Sequence, residues 1–334
     1  MRTILFAFVV TPLCVGSATA GDWVQRELEV RPPARHDHAM AYDPHREVTV
    51  MFGGRVFASD ASDDMTEAPV GDLWEWDGTR WIERESEVGP TPRYGHAMAY
   101  CPDLEAVVVV AGTGLSEPGQ LPWSDETWAW NGTSWRLLSE DVPWTFLARP
   151  QMVYDRQRQQ LVLRSSERMF VWDGETWEEK RPMGRAPTGF GRMVQDGKSG
   201  KVLLMQSNTD TFPVTEEVWE WRGTRWRKRS RAPEGEGPGS YGYLVYDSKR
   251  EVIVCAGRDL YLAEFDGRTW SEGDRLPVSY RRRQGYGFVF DAAREQLVLF
   301  GGRLGDAWNL GEHDGRDVET ATLFAQTWTL DPGE

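Results

Sequence analysis

The chain has 334 residues, 40% hydrophobic and 27% charged, and this charged fraction excludes a bundle of membrane-spanning helices. Its formal net charge of −14 argues against a nucleic-acid partner, because phosphate binding requires a basic surface. The length fits two ordinary domains or one large closed all-β domain, and the 17 tryptophans and 34 glycines favour the second, being typical of short strands and tight turns.

The first 20 residues have the pattern of a secretory signal peptide. Arg2 provides the positive start, residues 4–10 are an unbroken apolar run, and Ala-Thr-Ala at 18–20 is a small-x-small cleavage site. The apolar run is too short to span a membrane comfortably, and no other segment could cross one. We therefore expect residues 1–20 to be removed on export and the mature protein to be secreted, periplasmic or held in the cell envelope.

An internal repeat determines the predicted architecture. The segment HAMAYDPHREVTVMFGG at 38–54 recurs as HAMAYCPDLEAVVVVAG at 96–112. Four weaker copies follow at 151–166, 192–207, 243–257 and 287–302. Each copy consists of an apolar strand, a polar turn and a second apolar strand that ends in small residues, which predicts one β-hairpin per repeat.

A second predicted hairpin follows each of the first five copies. It reads WEWDGTRW at 74–81, with counterparts at 128–135, 170–177, 219–226 and 263–270. Aromatic residues alternate with period two and are followed in most copies by Asp-Gly or Asn-Gly, which is the strongest short hairpin signal. Because the tryptophans recur in register, we expect them to fill the wedges between neighbouring blades.

The sixth copy ends at 327–332 without its last strand. Residues 22–26 match the missing strand, because their tryptophan and the run into a proline-rich segment correspond to 79–84. The sequence therefore predicts an all-β protein, a six-bladed β-propeller over residues 21–334 whose last blade is closed by the N-terminal strand. Such closure removes exposed sheet edges that an open array would leave.

The repeats resemble those of the kelch family of β-propellers, which includes secreted bacterial proteins and the propeller of galactose oxidase. The resemblance is carried by Arg35 and His38 before the first strand, by the glycine pairs at 53–54 and 301–302, and by the tryptophan that ends each blade. A WD40 propeller is the nearest alternative, since Gly-His at 95–96 and Trp-Asp at 76–77 imitate its signature. The Asp-Gly turns and the small residues after the second strand fit kelch repeats better.

The copper site of galactose oxidase has no match in this chain, and no cofactor is predicted. His36 and His38 share one face of a strand but lack further ligands, so no metal site is predicted either. His38 and His96 are expected to organise the entry to the first strands. Cys101 and Cys255 fall in different repeats, and we expect both to be free thiols.

The predicted binding face is the one that carries the longest loops. The loops at 55–71, 113–125, 207–217 and 303–326 all emerge there, and long loops on a rigid scaffold commonly carry function. The same face receives a set of arginines, namely Arg35, Arg55, Arg93, Arg281, Arg282, Arg283 and Arg303. They would suit an anionic glycan or an acidic protein segment, and the alternative is that they pair with acidic loops of the protein itself.

Two tryptophans, Trp123 and Trp144, lie outside the repeat register and are further candidates for ligand binding. The acidic residues Asp60, Asp63, Asp64 and Glu67 lack the glycine and the terminal glutamate of a calcium loop and are interpreted as a solvated loop. No catalytic residues can be assigned from the sequence.

The pattern favours an exported, non-enzymatic and monomeric binding module that recognises a protein or a polysaccharide through the loop-rich face. The alternatives are a propeller hydrolase or lyase acting on extracellular carbohydrate, and a structural protein of the envelope. The fold cannot choose among them. Catalysis predicts convergent carboxylates with shifted pKa values in a central recess, whereas binding predicts arginines and aromatic residues on the loop face.

Overall fold

A computed structural model of the chain describes residues 22–57, 67–114, 123–144, 147, 149–188, 191–208, 215–231, 242–257, 261–277, 283–304 and 322–331. Strands dominate these residues, and the one helical segment among them is a short 3-10 turn at Pro102–Leu104. No helix in the described ranges is long and apolar enough to cross a membrane. The predicted signal peptide lies outside the described residues.

The strands in chain order are β1 (Val24–Arg26), β2 (Ala39–Asp43), β3 (Val48–Phe52), β4 (Arg55–Phe57), β5 (Glu67–Pro69), β6 (Leu73–Trp76), β7 (Trp81–Arg84), β8 (Arg93–Tyr94), β9 (Ala97–Cys101), β10 (Ala106–Val110), β11 (Thr113–Gly114), β12 (Thr127–Trp130), β13 (Trp135–Ser139), β14 (Gln151–Asp155), β15 (Gln160–Ser165), β16 (Arg168–Trp172), β17 (Trp177–Lys180), β18 (Gly191–Asp196), β19 (Lys201–Asn208), β20 (Thr215–Trp221), β21 (Trp226–Arg231), β22 (Tyr243–Asp247), β23 (Val252–Ala256), β24 (Tyr261–Phe265), β25 (Trp270–Arg275), β26 (Gln284–Asp291), β27 (Gln296–Leu304), β28 (Thr322–Leu323) and β29 (Thr327–Leu330).

These strands form six antiparallel blades, which confirms the predicted six-bladed propeller. Blades 1 to 5 are β2-β3-β6-β7, β9-β10-β12-β13, β14-β15-β16-β17, β18-β19-β20-β21 and β22-β23-β24-β25. Blade 6 is β26-β27-β29-β1, with β28 beside β27, and the N-terminal strand closes it by pairing Val24 with Thr329 and Arg26 with Thr327. The first strands of successive blades contact one another around the ring, from β2 to β9 and finally from β26 back to β2.

The hydrophobic core lies between the blades. Met51, Trp74 and Trp76 of blade 1 pack against Val298 and Phe300 of blade 6, and comparable clusters fill the other wedges. The in-register tryptophans Trp76, Trp130, Trp172 and Trp221 are each 2% exposed or less, which confirms their predicted place in the core. Cys101 and Cys255 are both buried, in blades 2 and 5.

The outer hairpins turn on a carboxylate or an amide that caps the backbone. Asp77 Oδ1 accepts hydrogen bonds from the N–H groups of Thr79 and Arg80, both at 2.9 Å. The side chains of Asn131, Asp173 and Asp266 make the same pair of bonds in blades 2, 3 and 5. In blade 4 an arginine, Arg222, stands at this position, so the turn has no such cap.

The paired glycines serve the contact between successive blades. Gly53 has φ +64°, and a Cβ there would lie 2.4 Å from the carbonyl oxygen of Arg93 and 3.1 Å from Cε1 of His96. Gly301 stands in the same relation to Arg35 and His38. Blade 2 has Ala111 at the equivalent position, and there the following blade carries Pro150 instead of histidine. The first glycine of each pair therefore makes room for the next blade's histidine.

Substituting Gly53 with alanine is expected to lower the free energy of unfolding by about 2–4 kcal/mol, because backbone strain at positive φ adds to a steric clash with the next blade. Gly95 is a matched control, since it has φ +63° but nothing within 4 Å of an added Cβ. Gly95→Ala should cost only the strain, about 1 kcal/mol. Urea titration of both variants measures the difference, and equal losses would show that the clash is absent.

Candidate functional site

The loop-rich end of the central channel is bounded by residues with positive φ. Asp37, Gly95 and Arg149 lie two residues before the first strand of their blades, and Gly285 is their counterpart within β26; their φ angles are 54°, 63°, 48° and 66°. The N–H of Asp37 donates to the carbonyl of Gly285, and the N–H of Gly95 donates to the carbonyl of Asp37, both at 2.8 Å. Asp37 and Arg149 tolerate strain here that glycine would avoid, a feature that concentrates at functional sites.

A group of charged side chains, here called the rim cluster, surrounds Glu67 next to this boundary. Its members are His36, Asp37, Arg55, Glu67 and Arg303. His36 Nε2 lies 3.1 Å from Glu67 Oε2, and His36 Nδ1 lies 3.1 Å from Asp37 Oδ2. Arg55 Nη1 lies 3.3 Å from Glu67 Oε2, and Arg303 Nη1 lies 3.2 Å from Glu67 Oε1. The imidazole of His36 therefore lies close to two carboxylates, although its Nε2 makes no hydrogen bond to Glu67, and two arginines pair with Glu67.

Local pairing explains why these side chains meet. Arg55 begins β4 and Glu67 begins β5, and these strands pair as a short ribbon beyond the second strand of blade 1. The N–H of His36 donates to the carbonyl of Arg55 at 3.1 Å, and the N–H of Arg55 donates back at 2.8 Å. The ribbon thus joins the connection that enters blade 1 and brings the three side chains together.

Two arginine–tyrosine pairs flank the rim cluster. The Arg55 guanidinium lies 3.6 Å from the ring centre of Tyr94, and that of Arg192 lies 4.6 Å from the ring centre of Tyr243. The Tyr243 hydroxyl accepts a hydrogen bond from the N–H of Gly285 at 3.0 Å. Contacts at such distances include a favourable attraction between the cation and the aromatic face. The pairs bring blades 2, 4 and 5 into the site.

Electrostatics keep Asp37 ionised. Burial raises the pKa of its carboxyl, but the hydrogen bond and charge of His36, with the charges of Arg55 and His38, hold the pKa below its usual value. Its side chain is 42% exposed even though burial is the largest influence on it, so the carboxylate lies in a recess that water reaches.

The phenol of Tyr243 is held neutral. Burial raises its pKa, the charge of Asp37 raises it further, and the charges of Arg192 and Arg149 oppose this. Tyr243 contacts Arg192 and the backbone of Gly285, and the N–H of Asp37 in turn binds the carbonyl of Gly285. The arrangement offers arginines for an anion, aromatic faces, and an ionised carboxylate.

The predicted arginines fall into two groups. Arg55 and Arg303 belong to the rim cluster, with 30% and 26% of their side chains exposed. Arg35, Arg93 and Arg283 are at most 4% exposed, and each donates through Nη1 to a carbonyl at the end of its own blade's second strand. Ligand contact by these three stays a prediction and would require those bonds to open. Arg281 and Arg282 lie outside the described residues.

The two candidate tryptophans differ in burial. Trp123 is half-buried and forms an isolated bridge with Thr113. Trp144 is 6% exposed and packs edge to face against Phe170 and Trp177, with ring centres 4.9 Å and 5.4 Å apart. Trp144 thus extends the core of blade 3, which accounts for its place outside the repeat register without a ligand.

Sequence reasoning missed several residues of the site. Glu67 was interpreted as part of a solvated loop, and this was wrong, because its side chain is 13% exposed and contacts two arginines and a histidine. Asp37, Tyr94, Arg192 and Tyr243 were not singled out. The available signal was the repeat position shared by Asp37, Gly95 and Gly285, where a non-glycine residue stands out. Among the described residues, no group of three His, Cys, Asp or Glu side chains could hold a metal ion.

No family model matches the chain, and no curated protein matches it. Among solved structures, that of YjhT is similar to this chain, with a TM-score of 0.59 and 12% sequence identity. The match covers 90% of this chain and 96% of that chain. At this identity the likeness shows the fold alone, and the kelch resemblance of the repeats stays a prediction.

Proposed function

We propose that the protein is an exported, non-enzymatic binding module that recognises a polysaccharide or a protein through the loop-rich end of its channel. The observation that carries this proposal is a set of contacts at the blade entries. Arg55 lies over Tyr94 and pairs with Glu67, as does Arg303. Arg192 lies over Tyr243, and Arg149 stands at the repeat position of Asp37. Arginine offers paired donors to a carboxylate, sulfate or phosphate, and the tyrosine faces suit a sugar ring or an apolar side chain. Among the described residues of this set, the four arginines outnumber the two carboxylates, Asp37 and Glu67, on a protein of net charge −14.

The test begins with an array of acidic and neutral glycans and peptides, followed by titration of the ligand found. Arg192→Ala and Tyr94→Ala are each expected to weaken binding about tenfold, the effect of losing one charge-assisted contact or one aromatic contact. Arg136→Ala is the matched control, because Arg136 is exposed on the outer strand β13, away from the channel. Unchanged affinity in both rim variants would place the binding site elsewhere.

One observation favours the alternative, a hydrolase or lyase acting on carbohydrate. His36 lies close to the carboxylates of Asp37 and Glu67, and an imidazole between carboxylates is suited to proton transfer. Mass spectrometry of the ligand after incubation distinguishes the two functions. An intact ligand supports the binding module, whereas a cleaved product that disappears with Asp37→Asn supports the enzyme.

A further inference from the structure

The outer edge of blade 4 differs from those of the other blades. The turn and the outer strand that form this edge read WRGTRWRKRSR at 221–231. Arg222, Arg225, Arg227, Lys228 and Arg229 are here called the basic edge. The side chains of Arg225, Arg227 and Arg229 are exposed, whereas the buried Trp226 anchors the strand to the core. A concentration of cations on a protein of net charge −14 is unusual enough to need a cause.

The other blades show that the fold does not require these charges. After the equivalent tryptophan their outer strands read IER at 82–84, RLLS at 136–139, EEK at 178–180 and SEGDR at 271–275, and β1 reads VQR at 24–26. Each of these is nearly neutral or acidic. Because the six blades share one backbone plan, they serve as internal controls, and the cations of blade 4 are specific to it.

The outer hairpin turn of blade 4 lacks the capping side chain that the equivalent turns have. The capping side chain of the outer hairpin is Asp77, Asn131, Asp173 or Asp266 in the other four complete repeats, and each accepts two backbone hydrogen bonds. Arg222 replaces that acceptor and cannot make either bond. Arg222 pairs instead with Glu220 on β20, so this turn has an ion pair and a positive charge where the other turns have two backbone hydrogen bonds.

The basic edge is only partly neutralised within the protein. Two buried glutamates on β20 take up part of its charge, since Glu220 pairs with Arg222 and Arg229, and Glu217 pairs with Lys228. Arg225 and Arg227 have no ion-pair partner among the residues that the structure describes. Arg185, from the preceding connection, adds a further cation over the ring of Trp219. The edge therefore presents unpaired positive charge to solvent.

The backbone at this edge is also available. In the described part of the sheet, β21 pairs with β20 alone, so its outer side offers N–H and C=O groups to another strand. The register shift between Val218 and Trp219 ends the regular ladder, and Trp226–Lys228 is the stretch that a partner can follow. Alternate residues of a strand are about 6.7 Å apart, a spacing that acidic residues in an extended peptide would match.

We propose that the basic edge is a docking site for an acidic, extended protein segment, which adds to β21 as a short strand and pairs its carboxylates with Arg225 and Arg227. Charge complementarity selects this partner, and the repulsion between two basic edges excludes a second copy of the same edge. The open backbone favours a polypeptide over a polysaccharide, because only a polypeptide continues the ladder of N–H and C=O groups. The site is separate from the channel end.

The test measures fluorescence anisotropy of a labelled peptide in which glutamate and valine alternate. Binding at low salt is expected, with loss at about 1 M NaCl, where the screening length is about 3 Å. The double variant Arg225→Glu/Arg227→Glu should weaken binding at least about tenfold, since two charge-assisted contacts become repulsive. Arg136→Glu, on the equivalent strand of blade 2, should leave peptide affinity unchanged.

A peptide with proline at its central position keeps the charge but lacks one backbone donor, and it should bind several-fold more weakly. Equal binding of the proline peptide would overturn strand addition. Unchanged binding by the double variant, with an unchanged melting temperature, would overturn the choice of edge. Displacement of the peptide by polygalacturonate or by phosphatidylglycerol vesicles at lower charge concentration would show that the edge serves a glycan or a lipid surface, and the proposal would be wrong.

Discussion

Replacement of Arg93 with leucine is expected to lower the free energy of unfolding by about 2–4 kcal/mol, a large part of the stability of an ordinary domain. Arg93 is fully buried and donates to the carbonyl oxygens of Thr91 and Ala111 and to the carboxylate of Glu126, the last at 2.8 Å. Its own carbonyl accepts the N–H of Gly54 in the preceding blade at 2.9 Å. Leucine would leave the carbonyl oxygens of Thr91 and Ala111 and the carboxylate of Glu126 without this donor.

The same arrangement recurs at Arg35, where blade 6 meets blade 1. We therefore expect the substitution to lower the stability of the whole ring. Arg35 Nη1 donates to the carbonyl of Gly53 at 3.0 Å and pairs with Asp72, and the carbonyl of Arg35 accepts the N–H of Gly302 at 2.8 Å. Each arginine side chain thus binds the end of its own blade's second strand, while its backbone carbonyl binds the preceding blade. Loss of the side chain loosens the entry segment whose carbonyl holds the preceding blade.

Urea titration of Arg93→Leu and Arg93→Lys measures this role. Lysine keeps the charge but not the planar fork, so an intermediate loss of stability is expected. Arg136→Leu, at an exposed position, should change stability by no more than about 0.5 kcal/mol. If Arg93→Leu unfolded at the same urea concentration as the parent protein, the side-chain contacts of Arg93 would carry no stability.

Acidification is expected to destabilise the protein through two buried histidines. Burial and the charges of Arg35 and His96 hold the pKa of His38 well below its usual value, although the charge of Asp37 opposes them. Burial and the charge of Arg93 lower the pKa of His96 to about 3. In the unfolded chain both histidines titrate near pH 6.5. As pH falls below that value, the unfolded state binds protons that the folded state does not bind, and the free energy of unfolding decreases.

The stability attributable to these histidines is therefore complete above about pH 6.5 and is lost as pH falls from there toward about 3. Each histidine contributes a slope of about 1.4 kcal/mol per pH unit in this window. Measured by urea titration at several pH values, His38→Gln and His96→Gln should each flatten the slope by that amount, whatever their cost at neutral pH. His45→Gln is the control, because His45 is exposed in a turn. An unchanged slope in either buried-site variant would mean that the imidazole is protonated in the folded state.

The repeat pattern predicted the ring of six blades because its signals act between residues that are close in sequence. The alternation of apolar residues and the Asp-Gly turns act within a hairpin, and six such hairpin pairs have few closed arrangements. The match of residues 22–26 to the missing outer strand predicted the closure that the pairing of Val24 with Thr329 confirms. The buried tryptophans followed for the same reason, since a residue repeated at one position of every blade occupies the same wedge.

The site was less predictable because its residues come from different blades. The sequence placed Arg35, Arg93 and Arg55 together on one face but could not separate them by burial, since all three flank strands. Only the packed ring shows that Arg35 and Arg93 are buried against carbonyls of their own blades while Arg55 is partly exposed beside Glu67 and Tyr94. Glu67, amid acidic neighbours in a long loop, has no repeated counterpart, and nothing local indicated that it pairs with His36.

The sequence by itself determined the hairpins, their number, the strand that closes the last blade and the residues between blades, because these depend on periodicity and turn chemistry that act over a few residues. The tertiary structure alone decided which arginines are structural, which carboxylates meet a histidine, and that the cations of blade 4 lie on the outer strand of their sheet. Those facts depend on distances between residues far apart in the chain, and such distances are set only when the ring closes.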